Sequence, residues 1–94
     1  MAWKINFELE AEEDLLRLDR SVNERVISKL SWLQENFENI TPIPLSNVLT
    51  GVFKLRVGDY RVLYIIKQEK RVINIVAVDH RSKIYKIFQQ RWHH

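Results

Sequence analysis

The sequence of 94 residues contains no cysteine, only two glycines and only two prolines. Without cysteine, disulfides, thiolate metal ligands and a cysteine nucleophile are excluded, and the chain suits a reducing cytoplasm. The longest apolar run, residues 62–66, is far shorter than the roughly 20 residues of a membrane span. No basic and then apolar signal-peptide pattern is visible either. We therefore expect one cytoplasmic domain over residues 1–94, without membrane association.

Charge is unevenly distributed, although the net formal charge is only +3. Residues 1–50 carry five basic and nine acidic side chains, a net charge of −4. Residues 51–94 carry ten basic and three acidic side chains, a net charge of +7. A basic half of this kind suits a polyanionic partner. The alternative is a solvated basic surface balanced by the acidic half, and charge by itself does not separate the two.

The first half of the chain predicts a short strand and two helices. Alternating apolar and polar residues predict the strand at positions 3–7. A first helix is predicted by the helical spacing of Ala11, Leu15 and Leu18. A second helix is predicted by an apolar stripe that contains Val22, Val26, Leu30, Leu33 and Phe37. Ser21 and Glu24 form a capping box that is expected to begin this helix, so the two helices form an antiparallel hairpin.

The second half predicts three strands and a last helix. Residues 52–57, 60–67 and 71–79 are rich in β-branched and aromatic side chains, and Gly58-Asp59 is a two-residue turn signal. Helical spacing after residue 81 is shown by Ile84, Ile87, Phe88 and Trp92. The predicted fold class is therefore α+β, with an N-terminal strand, an antiparallel helix hairpin, an antiparallel sheet of three consecutive strands and a short C-terminal helix.

The two-residue turn sets the register of the first strand pair, in which Arg56 lies opposite Arg61. One face of this pair is apolar and is expected to lie under the helix hairpin; it contains Phe53, Leu55, Val57, Tyr60, Val62 and Tyr64. The other face presents cations near the turn and apolar groups, expected under the last helix, farther away; it contains Lys54, Arg56, Arg61, Val52, Leu63 and Ile65. Opposed arginines destabilise a strand pair, which favours a binding site, although arginines that splay into solvent cost little.

The residues around this basic face exclude several chemistries. Asp59 and Asp79 stand apart, His80 has no second histidine nearby, and the two glycines are isolated. No metal, no cofactor and no Ser-His-Asp triad is therefore expected. Cations around a tyrosine suit a phosphodiester, whose transition state carries added negative charge. RNA supplies its own nucleophile, the 2′-OH, so such a site needs a base, cations and an acid.

Two segments, KLRVGDYRVLY at residues 54–64 and VDHRSKIY at residues 78–85, resemble the RelE/ParE toxin superfamily, on its RelE side. The resemblance covers nearly the whole chain and implies a RelE-like fold and the toxin of a type II toxin–antitoxin pair. It further implies ribosome-dependent cleavage of mRNA in the A site, through 2′-OH attack that leaves a 2′,3′-cyclic phosphate and inhibits translation. The implied protein partner is a cognate antitoxin in a hetero-oligomer, with an acidic and apolar segment on the basic surface. One alternative is a ParE-like toxin that inhibits DNA gyrase and has no nuclease activity. The other is an RNA-binding or degenerate toxin scaffold that binds RNA without cleaving it.

The resemblance also implies site residues. The catalytic set is Lys54, Arg61, Arg81 and Tyr85, and the RNA-binding set is Arg56, His80 and Lys83. The two catalytic arginines and the lysine would hold phosphate and stabilise charge. Tyr85 is a general base or a stacking platform, with packing inside the last helix as the alternative; His80 is an acid or base, or else a buried or capping histidine. Val52 stands where well-studied members have a second lysine, which implies weaker activity.

Overall fold

A computed structural model describes residues 2–47 and 49–92 of the chain. Met1, Val48, His93 and His94, which the predicted domain includes, lie outside the described residues. The strands are β1 (Lys4–Phe7), β2 (Ile43–Pro44), β3 (Phe53–Val57), β4 (Tyr60–Lys67) and β5 (Val72–His80). The helices are α1 (Leu9–Arg17), α2 (Arg20–Asn36) and α3 (Ile84–Arg91), and a 3-10 turn spans Phe37–Asn39. The α+β prediction is confirmed, and β2 is an element that the sequence analysis missed.

The β3–β4 hairpin has the register that the turn signal predicts. Arg56 pairs with Arg61 and Lys54 with Leu63. Gly58 has a φ of 59°, which a two-residue hairpin turn requires and which glycine adopts without a steric penalty. Period-two alternation therefore places the apolar and basic side chains on opposite faces, as expected.

The sheet is mixed, with the strand order β1-β5-β4-β3-β2. The first strand runs parallel to β5 and places Asn6 opposite Asn74, and the two side chains share a hydrogen bond of 2.7 Å. The pairing of β4 with β5 is antiparallel but irregular, because Leu63 pairs with Ala77 and Tyr64 with Ile75. The extra residue between these partners is a bulge in β5. The predicted three-stranded antiparallel unit thus has one additional strand at each edge.

The helix hairpin covers the inner face of the sheet, which we define as the face that carries Val62 and Tyr64. The predicted stripes of both helices pack there, around a core that contains Ala11, Leu15, Val26, Leu30, Leu33, Phe37, Leu55, Val57, Val62 and Tyr64. The capping-box prediction is wrong, because α2 begins at Arg20 and Ser21 already lies within it. Asp19 is the N-cap, and its carbonyl accepts the N–H of Asn23 at 2.8 Å.

The last helix covers part of the opposite, outer face. Val52 and Leu63 pack with Ile84 and Phe88 in a second apolar cluster, and Ile65 lies against it. This placement of α3 agrees with the prediction from the hairpin register. Among residues 2–47 and 49–92, every helix is too short or too polar to span a bilayer.

Candidate functional site

The outer face presents three cations that lie next to one another on β3 and β4. Arg56 and Arg61 are direct cross-strand partners, and Lys54 precedes Arg56 by two residues on the same face, a spacing of about 7 Å along the strand. Within residues 2–47 and 49–92, none of the three has an ion-pair partner. We call these residues, together with Arg81, the cation cluster.

The side chain of Arg61 is held in place by backbone carbonyls. Its Nη1 donates to the oxygens of Gly58 and Tyr60 at 2.8 and 2.9 Å. The guanidinium therefore leans toward the hairpin turn instead of pairing with Asp79, its cross-strand neighbour on β5. This arrangement leaves the positive charge unneutralised while restricting its position, which is what an anion-binding arginine needs.

Arg81 joins this cluster through the backbone. Its N–H donates to the carbonyl of Asp59 at 2.7 Å, so the end of β5 is tied to the β3–β4 turn. The Arg81 side chain is exposed, and its Nε lies 3.9 Å from a carboxylate oxygen of Asp59. An exposed pair at this distance contributes little, so Arg81 stays available to an anion. The structure thus brings together Arg81 and the three cations of β3 and β4, although they come from three separate segments.

Tyr85 and Lys83 lie where β5 leads into the last helix. Tyr85 is in the first turn of α3 and is 46% exposed. The preceding residue, Ile84, is buried against the cluster that contains Leu63, the cross-strand partner of Lys54. The start of α3 therefore adjoins the cation cluster. The neighbours of Tyr85 within α3 do not bury its side chain. Lys83 is the exposed N-cap residue of α3.

His80 is placed differently from the cations, because it faces the inner side of the sheet. It pairs with Tyr60, whose ring contacts the imidazole edge-on at 5.3 Å. The Ser82 N–H donates to Nδ1 of His80 at 3.1 Å, and the Ser82 hydroxyl oxygen lies 2.8 Å from the same nitrogen. These contacts favour the neutral tautomer that carries its proton on Nε2. Both rings border an open hollow of about 550 Å³ that also touches Lys83 and the α1–α2 corner. The structure therefore does not group His80 with Lys54, Arg56 and Arg61.

One buried carboxylate lies on the β1 side of β5 and was missed by the sequence analysis. Asp14 is 2% exposed and accepts hydrogen bonds from Arg17 and Arg91. The bond to Asp14 is the main cause that raises the pKa of the Arg91 guanidinium. A signal was present, because Asp14 lies between Ala11 and Leu15 on the buried stripe of α1. Its partner Arg91 is 77 residues away along the chain, and no sequence pattern indicates that the two residues pair.

The described part of the chain contains no group of three or more His, Cys, Asp or Glu side chains that could hold a metal ion. The arrangement instead provides positive charge at a solvent-facing surface with a tyrosine at its border. Such a surface can bind a phosphodiester and stabilise additional charge on it.

Several known proteins are similar in sequence to this chain. A family model described as the ParE toxin of the type II toxin–antitoxin system parDE matches residues 5–85. Toxin RelG of Mycobacterium tuberculosis is 46% identical over 43 residues, which is 46% of this chain and 49% of the relative. The match thus spans about half the length of that curated relative.

Solved structures share the fold over most of the chain. The toxin–antitoxin complex RelBE2 of Mycobacterium tuberculosis contains a chain that is 30% identical, with a TM-score of 0.75 over 86% of this chain and 100% of that chain. The isolated RelE toxin of Escherichia coli has a TM-score of 0.72 at 22% identity, over 96% and 98% of the two chains. Since the family model matches most of its length, the protein belongs to the ParE toxin family of type II toxin–antitoxin systems, within the RelE/ParE superfamily.

Proposed function

We propose that this toxin is a ribosome-dependent mRNA endoribonuclease that inhibits translation. The observation that carries the proposal is the cation cluster, in which Lys54, Arg56 and Arg61 have no ion-pair partner within the described residues. Unpaired cations side by side raise the free energy of the free protein, and a bound phosphodiester would relieve that repulsion. The residue pattern at residues 54–64 and 78–85 supports the same assignment.

In the proposed reaction the 2′-oxygen of a nucleotide attacks the adjacent phosphorus, and the bond from phosphorus to the 5′-oxygen of the next nucleotide breaks. The products are a 2′,3′-cyclic phosphate and a 5′-OH, so no water or metal ion enters the balance. A base takes the proton of the 2′-OH, and an acid gives one to the leaving oxygen. Cations on the nonbridging oxygens stabilise the transition state, in which the phosphoryl group carries more negative charge than in the substrate.

We assign this charge stabilisation to Arg61 and Arg81 and phosphate binding on the nucleophile side to Lys54. Tyr85, at the border of the cation cluster, is assigned as the general base. Arg56 and Lys83 bind neighbouring parts of the RNA backbone.

His80 is assigned to RNA binding instead of proton abstraction. With its proton on Nε2, the neutral ring donates a hydrogen bond there, and Nδ1 is occupied by the Ser82 N–H. A base or phosphate acceptor that reaches the hollow on the inner side of the strand end would meet this donor. This role keeps His80 in the RNA-binding set but away from the scissile phosphate.

Val52 limits the proposed site. The residue is 1% exposed and packs beneath α3 in the outer apolar cluster. Because residue 52 is valine, it supplies no cation to the outer face. The proposed chemistry then depends on Lys54, Arg61, Arg81 and Tyr85. We expect slower cleavage than a site with one more lysine would give.

We further propose that a cognate antitoxin binds this toxin and that the two form a hetero-oligomer in the cytoplasm, where ribosomes and mRNA are present. Support comes from the 30% identical chain, whose structure was solved as part of a toxin–antitoxin complex. An acidic and apolar antitoxin segment would neutralise the same cations that RNA uses. The second candidate function is inhibition of DNA gyrase, which the description of the matching family as ParE toxin favours.

The deciding experiment is synthesis of the toxin in a translating extract, followed by mapping of mRNA 5′ ends. We expect cuts in codon register, with Arg61→Ala and Arg81→Ala each lowering cleavage on the order of 10²-fold or more. Lys70→Ala is the control, because it removes an exposed cation from the turn between β4 and β5. Intact mRNA together with inhibited gyrase supercoiling would establish the second candidate, and full toxicity of both arginine variants would also contradict the nuclease.

A further inference from the structure

Asp14 is buried and accepts hydrogen bonds from two arginines and one backbone N–H. Arg91 donates from Nη2 to Oδ1 at 2.6 Å and from Nη1 to Oδ2 at 2.7 Å. Arg17 donates to Oδ1 at 2.6 Å, and the backbone N–H of Val78 donates to Oδ2 at 3.0 Å. A carboxylate without solvent exposure is stable only when it is paired in this way.

This carboxylate lies where β5 loses its neighbouring strand. The parallel strand β1 ends at Phe7, opposite Ile75, so within residues 2–47 and 49–92 the later residues of β5 have no strand on that side of the sheet. Asp14 accepts the N–H of Val78, and Arg91 donates to the carbonyl of Val76 at 3.3 Å. The two side chains thus replace part of the missing strand and satisfy backbone groups that would otherwise be buried without a hydrogen-bond partner.

The pair also joins two layers of the molecule. Asp14 belongs to α1, which packs on the inner face, whereas Arg91 is the last residue of α3 on the outer face. An isolated helix of eight residues is unstable in water, so α3 depends on its attachments. Ile84 and Phe88 hold it against the sheet, and Arg91 ties its C-terminal end to α1 around the edge of β5.

We propose that Asp14 and Arg91 are positioning residues that fix α3 and thereby hold Tyr85 at the border of the cation cluster. This inference rests on the proposed function. Tyr85 is in the first turn of α3, next to the buried Ile84, so any shift of the helix moves its hydroxyl relative to Arg61 and Lys54. Asp14 also borders the hollow next to His80, whereas Arg91 does not line it within the described residues. Arg91 therefore acts on the proposed site through the helix, and the test is made at Arg91.

The test uses Arg91→Met, which keeps a long unbranched side chain. It removes the two Nη donors to Asp14 and the Nε contact with Glu10. Hydrogen exchange of the α3 amides should accelerate by about 10²-fold, because breaking one half of a buried pair is strongly unfavourable. Exchange in β4 should change far less. Arg91→Lys keeps a charge without the bidentate geometry and should give an intermediate rate. Glu10→Gln is the control, since it removes only the partly exposed ion pair with Arg91 at 3.3 Å.

The catalytic part is tested by a double-mutant cycle with Tyr85→Phe in the translating extract. Arg91→Met should lower kcat and leave the affinity for RNA unchanged, and it should cost much less in the Tyr85→Phe background. Additive losses would overturn the positioning role, as would unchanged α3 exchange in Arg91→Met. Absence of cleavage by the unaltered toxin would instead overturn the proposed function, so the two failures are distinguishable.

Discussion

Tyr64 is the least exposed aromatic side chain among the described residues. It is 1% exposed and lies between Phe37 and Phe53, with ring centroids 6.2 and 5.8 Å away. Burial raises the pKa of the Tyr64 phenol from 10.0 to about 12, because the phenolate is poorly solvated there. The aromatic packing that joins β3, β4 and the 3-10 turn after α2 is therefore coupled to the protonation of one hydroxyl.

This coupling predicts an alkaline loss of stability. Since the folded-state pKa is raised, the contribution of Tyr64 is fully present below pH 10.0 and is lost as the pH rises through about 12. Tyr64→Phe keeps the ring but has no proton to lose, so its free energy of unfolding should depend less on pH in this interval. Denaturant unfolding at several alkaline pH values measures the difference. The exposed Tyr85→Phe variant is the control, and equal pH dependence of Tyr64→Phe and the unaltered protein would contradict the assignment.

The β3–β4 hairpin carries three residues of the cation cluster, and their charges lower the stability of the hairpin. Arg56 and Arg61 are direct partners, and like charges in this arrangement oppose strand pairing. Arg61 is partly compensated by the two carbonyls of the turn region, whereas Arg56 is exposed without an ion pair in the described chain. The hairpin therefore gives up stability at the positions where the proposed site needs charge.

Arg56→Thr should relieve this repulsion and stabilise the protein. A β-branched residue suits a strand, and removing one of two opposed charges is expected to raise the free energy of unfolding by about 0.2–1 kcal/mol. Urea unfolding at low ionic strength measures the change, which salt should diminish. Lys54→Thr is the matched control, because Lys54 faces the apolar Leu63 and should gain less. The same Arg56→Thr variant should bind RNA more weakly; a less stable variant would show that the packing of the arginine stem outweighs the repulsion between the two charges.

Local periodicity explains which elements could be predicted from the sequence. The hairpin register followed from one turn signal, since alternation with a two-residue turn leaves a single pairing. The strand β2 was missed because its two residues include a proline and pair only with Lys54 and Phe53. The parallel pairing of β1 with β5 and the bulge at Val76 depend on distant contacts, for which the sequence offers no pattern.

The same limit applies to the candidate site. Lys54, Arg56 and Arg61 could be placed on one face from the strand period, and Arg81 followed from the family resemblance. The inward direction of His80 was not predicted, because it depends on the pairing of β5 with Tyr60 on β4. Side chains that a turn or a period relates are therefore predictable, and those that meet through tertiary packing are not.

At the scale of the whole molecule, charge and architecture coincide. The acidic half of the sequence supplies both helices of the inner layer, and the basic half supplies β3, β4, β5 and α3. The molecule is therefore polarised, with the cation cluster on the outer face of the more basic part. Such a distribution attracts a polyanion toward the outer face and disfavours contact with the helix hairpin.

Binding of RNA should accordingly weaken steeply with salt, because each neutralised phosphate releases condensed counterions. A plot of log K against log salt concentration, measured with a short noncleavable RNA bearing 2′-O-methyl groups, gives the number of contacts. Replacing Arg61 or Arg81 by alanine should reduce the slope by about one unit each, since each is expected to contact one phosphate. Lys70→Ala, at the opposite end of the β4 strand, should leave the slope nearly unchanged. Equal slopes for all four proteins would mean that the field of the basic half attracts RNA without a defined phosphate contact at the cation cluster.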